Sequence, residues 1–367
     1  MTRLLLVVSL FLAGGAASAQ TIQAGLLQCS TATRTAKSEY RISGLSCGSR
    51  YCSQRLSLPI VDHAFGACKA RAFDTPEQDA DVILSGFKVN RAGGGPFPVH
   101  GLQVFTRLVA FSPSSGTVDV DLYFGMPTFE AGADETYWAM DVEVLLTTGT
   151  HSRLVRAEPG FSTQPAIAKG VVALPAGTVP PGWTFGEFSF GGLALSRVGQ
   201  SGSTVQHLDF DARDPRADSS GAVSGIIYLG WDDGFQHTIT GDARVVALIG
   251  DPNEISKFEH SHTYVDSVAA FGQVDTKARS GIYTCGLRRM RVEATNQPTE
   301  VWALWGGWQT LECGFQPSIS VYRTPYLLFL SDRYYGPPPV PDPEHTVLGT
   351  PGVDYKFDQT ANGTRAR

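Results

Sequence analysis

The chain has 367 residues, a formal net charge of -6 and 17% charged residues, with 40 Gly and 22 Pro. So mild an acidic balance, without a Lys/Arg cluster, excludes nucleic acid as an expected partner. Short apolar runs rich in Val, Phe and Tyr, punctuated by Gly and Pro, favour strands and turns over helices. The expected fold is therefore all-β, as tandem antiparallel β-sandwich-like units preceded by a disulfide-rich N-terminal segment.

Residues 1–19 have the three parts of a secretory signal peptide: Arg3 as a positive start, an apolar run from Leu4 to Leu12, and the small-residue site Ala17-Ser18-Ala19. The run is shorter than the roughly 20 residues a membrane span needs, and no later run reaches that length. The expected product is exported and not inserted in a membrane: secreted or extracellular, or periplasmic in a host with two membranes. Residues 20–78 lack long periodic runs and hold Cys29, Cys47, Cys52 and Cys68, while Cys285 and Cys313 stand near the other end. In an oxidising compartment an even number implies disulfides. Two bridges are expected among the first four cysteines, in any of three connectivities, and one between the last two. Gly44-Leu45-Ser46-Cys47-Gly48 has the pattern of a nucleophile elbow, but that motif needs a strand before it and a helix after it, and no such alternation surrounds it. No catalytic residue is expected.

Residues 79–157 form the first β unit, with Val118 to Phe124 as its clearest strand by alternation. Asp119 and Asp121 fall between its apolar residues and read as a solvated face. Residues 158–185 hold five prolines with little periodicity and read as a Pro-rich connector. Residues 186–250 form a second unit that repeats the first. At an offset of 106, Gly86, Arg91, Leu102 and Arg107 meet Gly192, Arg197, Leu208 and Arg213, and one residue less brings Gly116, Val118, Tyr123 and Gly125 onto Gly221, Val223, Tyr228 and Gly230. The runs Val142 to Leu146 and Arg244 to Ile249 close the two units. Residues 251–330 read as a third β unit, and residues 331–367 as a Pro-rich, disordered tail.

Two clusters carry candidate chemistry. Trp231, Asp232, Asp233 and His237 follow the best repeat strand, and Trp302, Trp305 and Trp308 fall at the matching place in the third unit. An aromatic face with carboxylate and amide neighbours is what recognises a sugar. His260-Ser261-His262, with Asp266, has two imidazoles one residue apart, as a transition metal wants. The run from His260 to Gly272 resembles the first metal motif of cupins, departing from it in having Asp for Glu and in lacking a second motif with a third histidine. The leading expectation is a secreted, non-catalytic binding or adhesion protein with an extracellular or surface glycan as ligand and no cofactor. The alternatives are a secreted metal-dependent enzyme using His260 and His262, and a structural cell-surface or envelope component.

Overall fold

The computed structural model describes residues 7–9, 20–24, 28–30, 35–48, 51–59, 79–91, 100–112, 115–126, 135–198, 204–232, 237–265, 272–275, 282–283, 286–294, 299–300, 303–307, 320–323 and 355–366. The described residues are mostly strand, there is no helix among them, and the sheets are antiparallel. Up to residue 147 the strands are β1 (Val7–Ser9), β2 (Thr21–Ala24), β3 (Gln28–Ser30), β4 (Thr35–Cys47), β5 (Cys52–Pro59), β6 (Asp79–Arg91), β7 (Gly101–Ser112), β8 (Thr117–Gly125) and β9 (Thr136–Thr147). The middle holds β10 (Ser152–Ala157), β11 (Phe161–Pro165), β12 (Ile167–Leu174), β13 (Thr184–Phe185), β14 (Ser189–Val198), β15 (Thr204–Val205), β16 (His207–Ala217), β17 (Val223–Asp232) and β18 (Thr238–Gly250). The remainder holds β19 (Ile255–Val265), β20 (Gly272–Asp275), β21 (Ile282–Tyr283), β22 (Gly286–Ala294), β23 (Thr299–Glu300), β24 (Ala303–Gly307), β25 (Ser320–Arg323) and β26 (Tyr355–Ala366).

Two kinds of apolar pattern produce two kinds of strand. In β8, Val118, Val120, Leu122 and Phe124 are buried and the aspartates take the other face, as a period of two requires. There Arg55 of β5 donates to Asp121 from Nε and Nη2 at 2.7 and 2.9 Å, and Ser57 donates to Asp119. By contrast, the unbroken runs in β9 and β18 are buried on both faces from Asp141 to Thr148 and from Ala243 to Ile249. A strand covered on both sides has no need to alternate.

One sheet runs β1-β2-β4-β9-β6-β24 with β3 on β4. The larger sheet runs β19-β26-β22-β16-β17-β12-β11-β18-β14-β7-β8-β5, with β10 and β13 on β18 and β21 on β26. The main core joins Val82, Leu84, Val142 and Val144 of the first sheet to Val104, Val120 and Leu122 of the second, and continues through Leu193, Phe210, Ile227 and Val245. A smaller cluster of Ile83, Leu145, Leu154, Val246, Leu248 and Ile255 packs the opposite faces of β6 and β9 on those of β10 and β18. Beside it Asp81, 1% exposed, accepts hydrogen bonds from Arg156 of β10 and Arg244 of β18. Arg244 Nη1 also donates to the carbonyls of Val82 and Thr106 at 3.2 and 3.3 Å. Gly191 makes room for it, since a Cβ there would overlap Arg244 Nη1. Removing one partner of so buried a pair costs about 3–5 kcal/mol.

The chain crosses from the first sheet to the second between β4 and β5, and a Cys47–Cys52 disulfide with Cα atoms 5.7 Å apart closes that corner. Of the three expected connectivities, this bond is compatible only with the one that pairs Cys29 with Cys68. Cys68, Cys285 and Cys313 lie outside the described residues.

Two expectations from the sequence are corrected. Residues 158–185 are not a plain connector, since they supply β11, β12 and β13 to the large sheet. Their pattern is masked because β12 turns Ala168, Gly170 and Val172 inward while Ile167 and Val171 are exposed. The tail is ordered over 355–366, where β26 pairs with β19 on one side and β22 on the other. Pairing on both edges satisfies its backbone groups, which apolar periodicity does not report. Sheets also run across the boundaries read between units, because β14 pairs with β7 and β24 with β6.

Candidate ligand cleft

Trp231 is 1% exposed and belongs to the main core. It continues the inward face of β17 after Ile227 and Leu229, and the Arg197 guanidinium lies 5.9 Å from its ring centroid. The ring is closed to a stacking sugar, so the expected ligand role of Trp231 is corrected to a packing role. Asp232 ends β17 opposite His207, and its carbonyl accepts from Gln206 N at 2.7 Å. The His237 carbonyl accepts from Ala166 N at 2.7 Å. Asp233, Trp302, Trp308 and Asp266 lie outside the described residues. Trp305 falls on β24 opposite Lys88, and His260 and His262 fall on β19 opposite Ala361 and Gln359. Only the backbone of these three is described. Among the described residues no group of three or more His, Cys, Asp or Glu is placed to hold a metal ion. Ser46 lies inside the antiparallel strand β4, beside a disulfide cysteine, and the next described element is the strand β5 rather than the helix of an elbow.

A cleft of about 530 Å³ opens elsewhere, between the segment Val179 to Phe185 and the β16–β17 turn from Pro215 to Gly221. That volume suits a small organic ligand. Local sequence explains both walls. Pro180-Pro181-Gly182-Trp183 has Pro and Gly at the two centres of a type II turn. Trp183 N donates to Pro180 O at 3.0 Å, and Gly182 takes a φ of 81°. In the opposite wall Asp218 Oδ1 accepts from Ser220 N, Ser220 Oγ and Ala222 N at 2.8, 2.6 and 3.1 Å. These bonds, the Ser220 hydroxyl first, hold the Asp218 carboxyl below the usual carboxylate range.

The walls are fastened to each other. Gly177 N donates to Ser220 O at 2.8 Å and Val179 N to Gly221 O at 3.0 Å. Gly221 has a φ of 76°, and a Cβ there would overlap the Val179 carbonyl. Trp183 is half-buried, with the Arg153 guanidinium 5.6 Å from its ring centroid. Thr184, Ser219, Ser220 and Arg216 complete the polar lining. Arg216 is exposed and follows a bulge, where Asp214 takes a φ of 50° and the register with β17 shifts between Arg213 and Arg216. Trp183 and Arg216 were missed in the sequence: Trp183 fell in the segment read as a connector, and Arg216 carried no pattern of its own. The Pro181-Gly182 signature followed by Trp was the available signal.

A second polar group lies on the outer face of β16. Asp209 and Asp211 stand opposite Arg291 and Arg289 of β22. Asp211 is paired with Arg213 and Arg289, and Arg213 also lies over the Tyr228 ring at 4.7 Å. Burial, reinforced by the Asp211 charge, pushes the Asp209 carboxyl up to about 6.

No family model matches the chain, and no curated protein matches it. Among solved structures it is similar to the major capsid protein P2 from bacteriophage PM2, at 10% identity and a TM-score of 0.18, over 63% of this chain and 97% of that one. A likeness that low carries no functional argument.

Proposed function

We propose that the chain is an exported, non-catalytic binding protein built from repeated β units, and that its ligand is a glycan. The observation that carries this reading is the cleft, whose lining brings a half-buried indole together with the hydroxyls of Thr184, Ser219 and Ser220. An indole stacks on the apolar side of a pyranose ring, and Thr184, Ser219 and Ser220 offer donors and acceptors for its hydroxyls. Rigid walls also lower the ordering cost of binding.

Export is supported by the signal-like residues 1–19 and by the Cys47–Cys52 bond, since disulfides persist in oxidising compartments. Cleavage after Ala19 would remove only β1, a three-residue edge strand, from its sheet. The repeat is supported by pairings at matched positions. In the first unit β6 pairs with β9 and β7 with β8; in the second, β14 pairs with β18 and β16 with β17. Register shifts fall immediately before both Gly86 and Gly192, and the matched glycines Gly116 and Gly221 both have positive φ, at 64° and 76°.

A glycan array probed with the chain starting at Gln20 tests the reading. Binding to a subset of glycans is expected, with loss of signal in Trp183→Ala while the variant remains folded. Silence across the array, or signal indifferent to Trp183→Ala, would refute it.

A further inference from the structure

We infer that the sugar taken by this cleft carries a carboxylate, as a uronic or sialic acid does. The inference rests on the glycan reading and adds the charge class of the ligand.

Arg216 is the reason. It lines the cleft, is exposed, and its guanidinium makes no ion pair or hydrogen bond among the described residues. Nearby arginines are engaged: Arg213 with Asp209 and Asp211, Arg289 with Asp211, and Arg156 with Asp79 and Asp81. Arg153 donates from Nε to Gly149 O at 3.0 Å and stands over the Trp183 ring. The one carboxylate lining the cleft, Asp218, has Oδ1 taken up by three donors of its own turn. Arg216 and Asp218 are the charged residues that line the cleft, and Arg153 stands over the indole. A guanidinium presents parallel N–H donors that match a carboxylate in two-point fashion, which an ammonium does not do. The Asp214-Pro215 bulge sets where that fork emerges, as bulges re-aim a side chain next to a site.

The test uses the chain from Gln20 and the probes glucuronate, galacturonate and N-acetylneuraminate against glucose and galactose, titrated calorimetrically at low and high salt. At least one acidic sugar should bind about tenfold more tightly than the neutral sugars, as a charge-assisted pair would give. Arg216→Gln should remove that preference, with Arg216→Lys recovering only part of it. Salt should weaken the acidic sugars alone. If Trp183→Ala abolishes binding but Arg216→Gln leaves the preference unaltered, the carboxylate assignment is overturned while the glycan reading survives. Preference for sulfated sugars, tested with galactose 6-sulfate, would overturn it equally. Absence of binding to any sugar overturns both.

Discussion

Replacing Asp209 by asparagine should stabilise the protein at neutral pH. Asp209 Oδ1 is buried without a hydrogen-bond partner, and the carboxylate's ion pair with Arg213 is long, from Oδ2 to Nη2 at 3.7 Å. Burial and the neighbouring Asp211 charge outweigh Arg213, Arg289 and Arg291, so the carboxyl rises from 3.8 to about 6. That rise corresponds to about 3 kcal/mol between protonation states. Because the folded state holds this proton more tightly than the unfolded chain does, the penalty is full above about pH 6. It shrinks as pH falls through 6 and is gone below about pH 4, where both states are protonated. Asp209→Asn keeps the shape and removes the charge. Urea unfolding at pH 7.5 should therefore show the variant more stable by up to about 3 kcal/mol, with the two proteins converging near pH 4. A variant equally or less stable at pH 7.5 would refute the reasoning, because it would mean that the arginines of β16 and β22 make this carboxylate net favourable.

Two further outcomes separate packing from binding. Trp231→Ala should cost about 3–5 kcal/mol of stability in urea unfolding, as a large core ring does; a small loss accompanied by lost sugar binding would restore Trp231 as a ligand residue. Gly221→Ala forces a positive φ at about 1–2 kcal/mol and drives a Cβ into the Val179 carbonyl. It should lower the unfolding midpoint and weaken sugar binding together, and an unchanged midpoint would count against the clamped-wall account.

Much of the strand content was legible. Val118 to Phe124 declared itself because one face is wet and one dry, and Val142 to Leu146 and Val245 to Ile249 because strands covered on both sides are apolar throughout. The turn from Asp218 to Gly221 rests on local properties too, the Asp218 side chain and the positive φ of Gly221. β12 was hidden because its inward residues are small and its large ones face outward. The candidate site was mostly illegible: nothing in the local pattern distinguishes the buried Trp231 from the half-buried Trp183, and the Pro181-Gly182 turn was lost among prolines.

The sequence by itself determined the all-β class, the turns, the alternation of the half-buried strands and the even set of cysteines, because these follow from side-chain type and spacing along the chain. Tertiary structure alone decided which sheet each strand joins, that β26 returns to lie between β19 and β22, which cysteine Cys47 meets, and which tryptophan stays accessible. Each of those depends on contacts between residues far apart in the chain, whose partners are chosen by packing and backbone pairing rather than by neighbours in sequence.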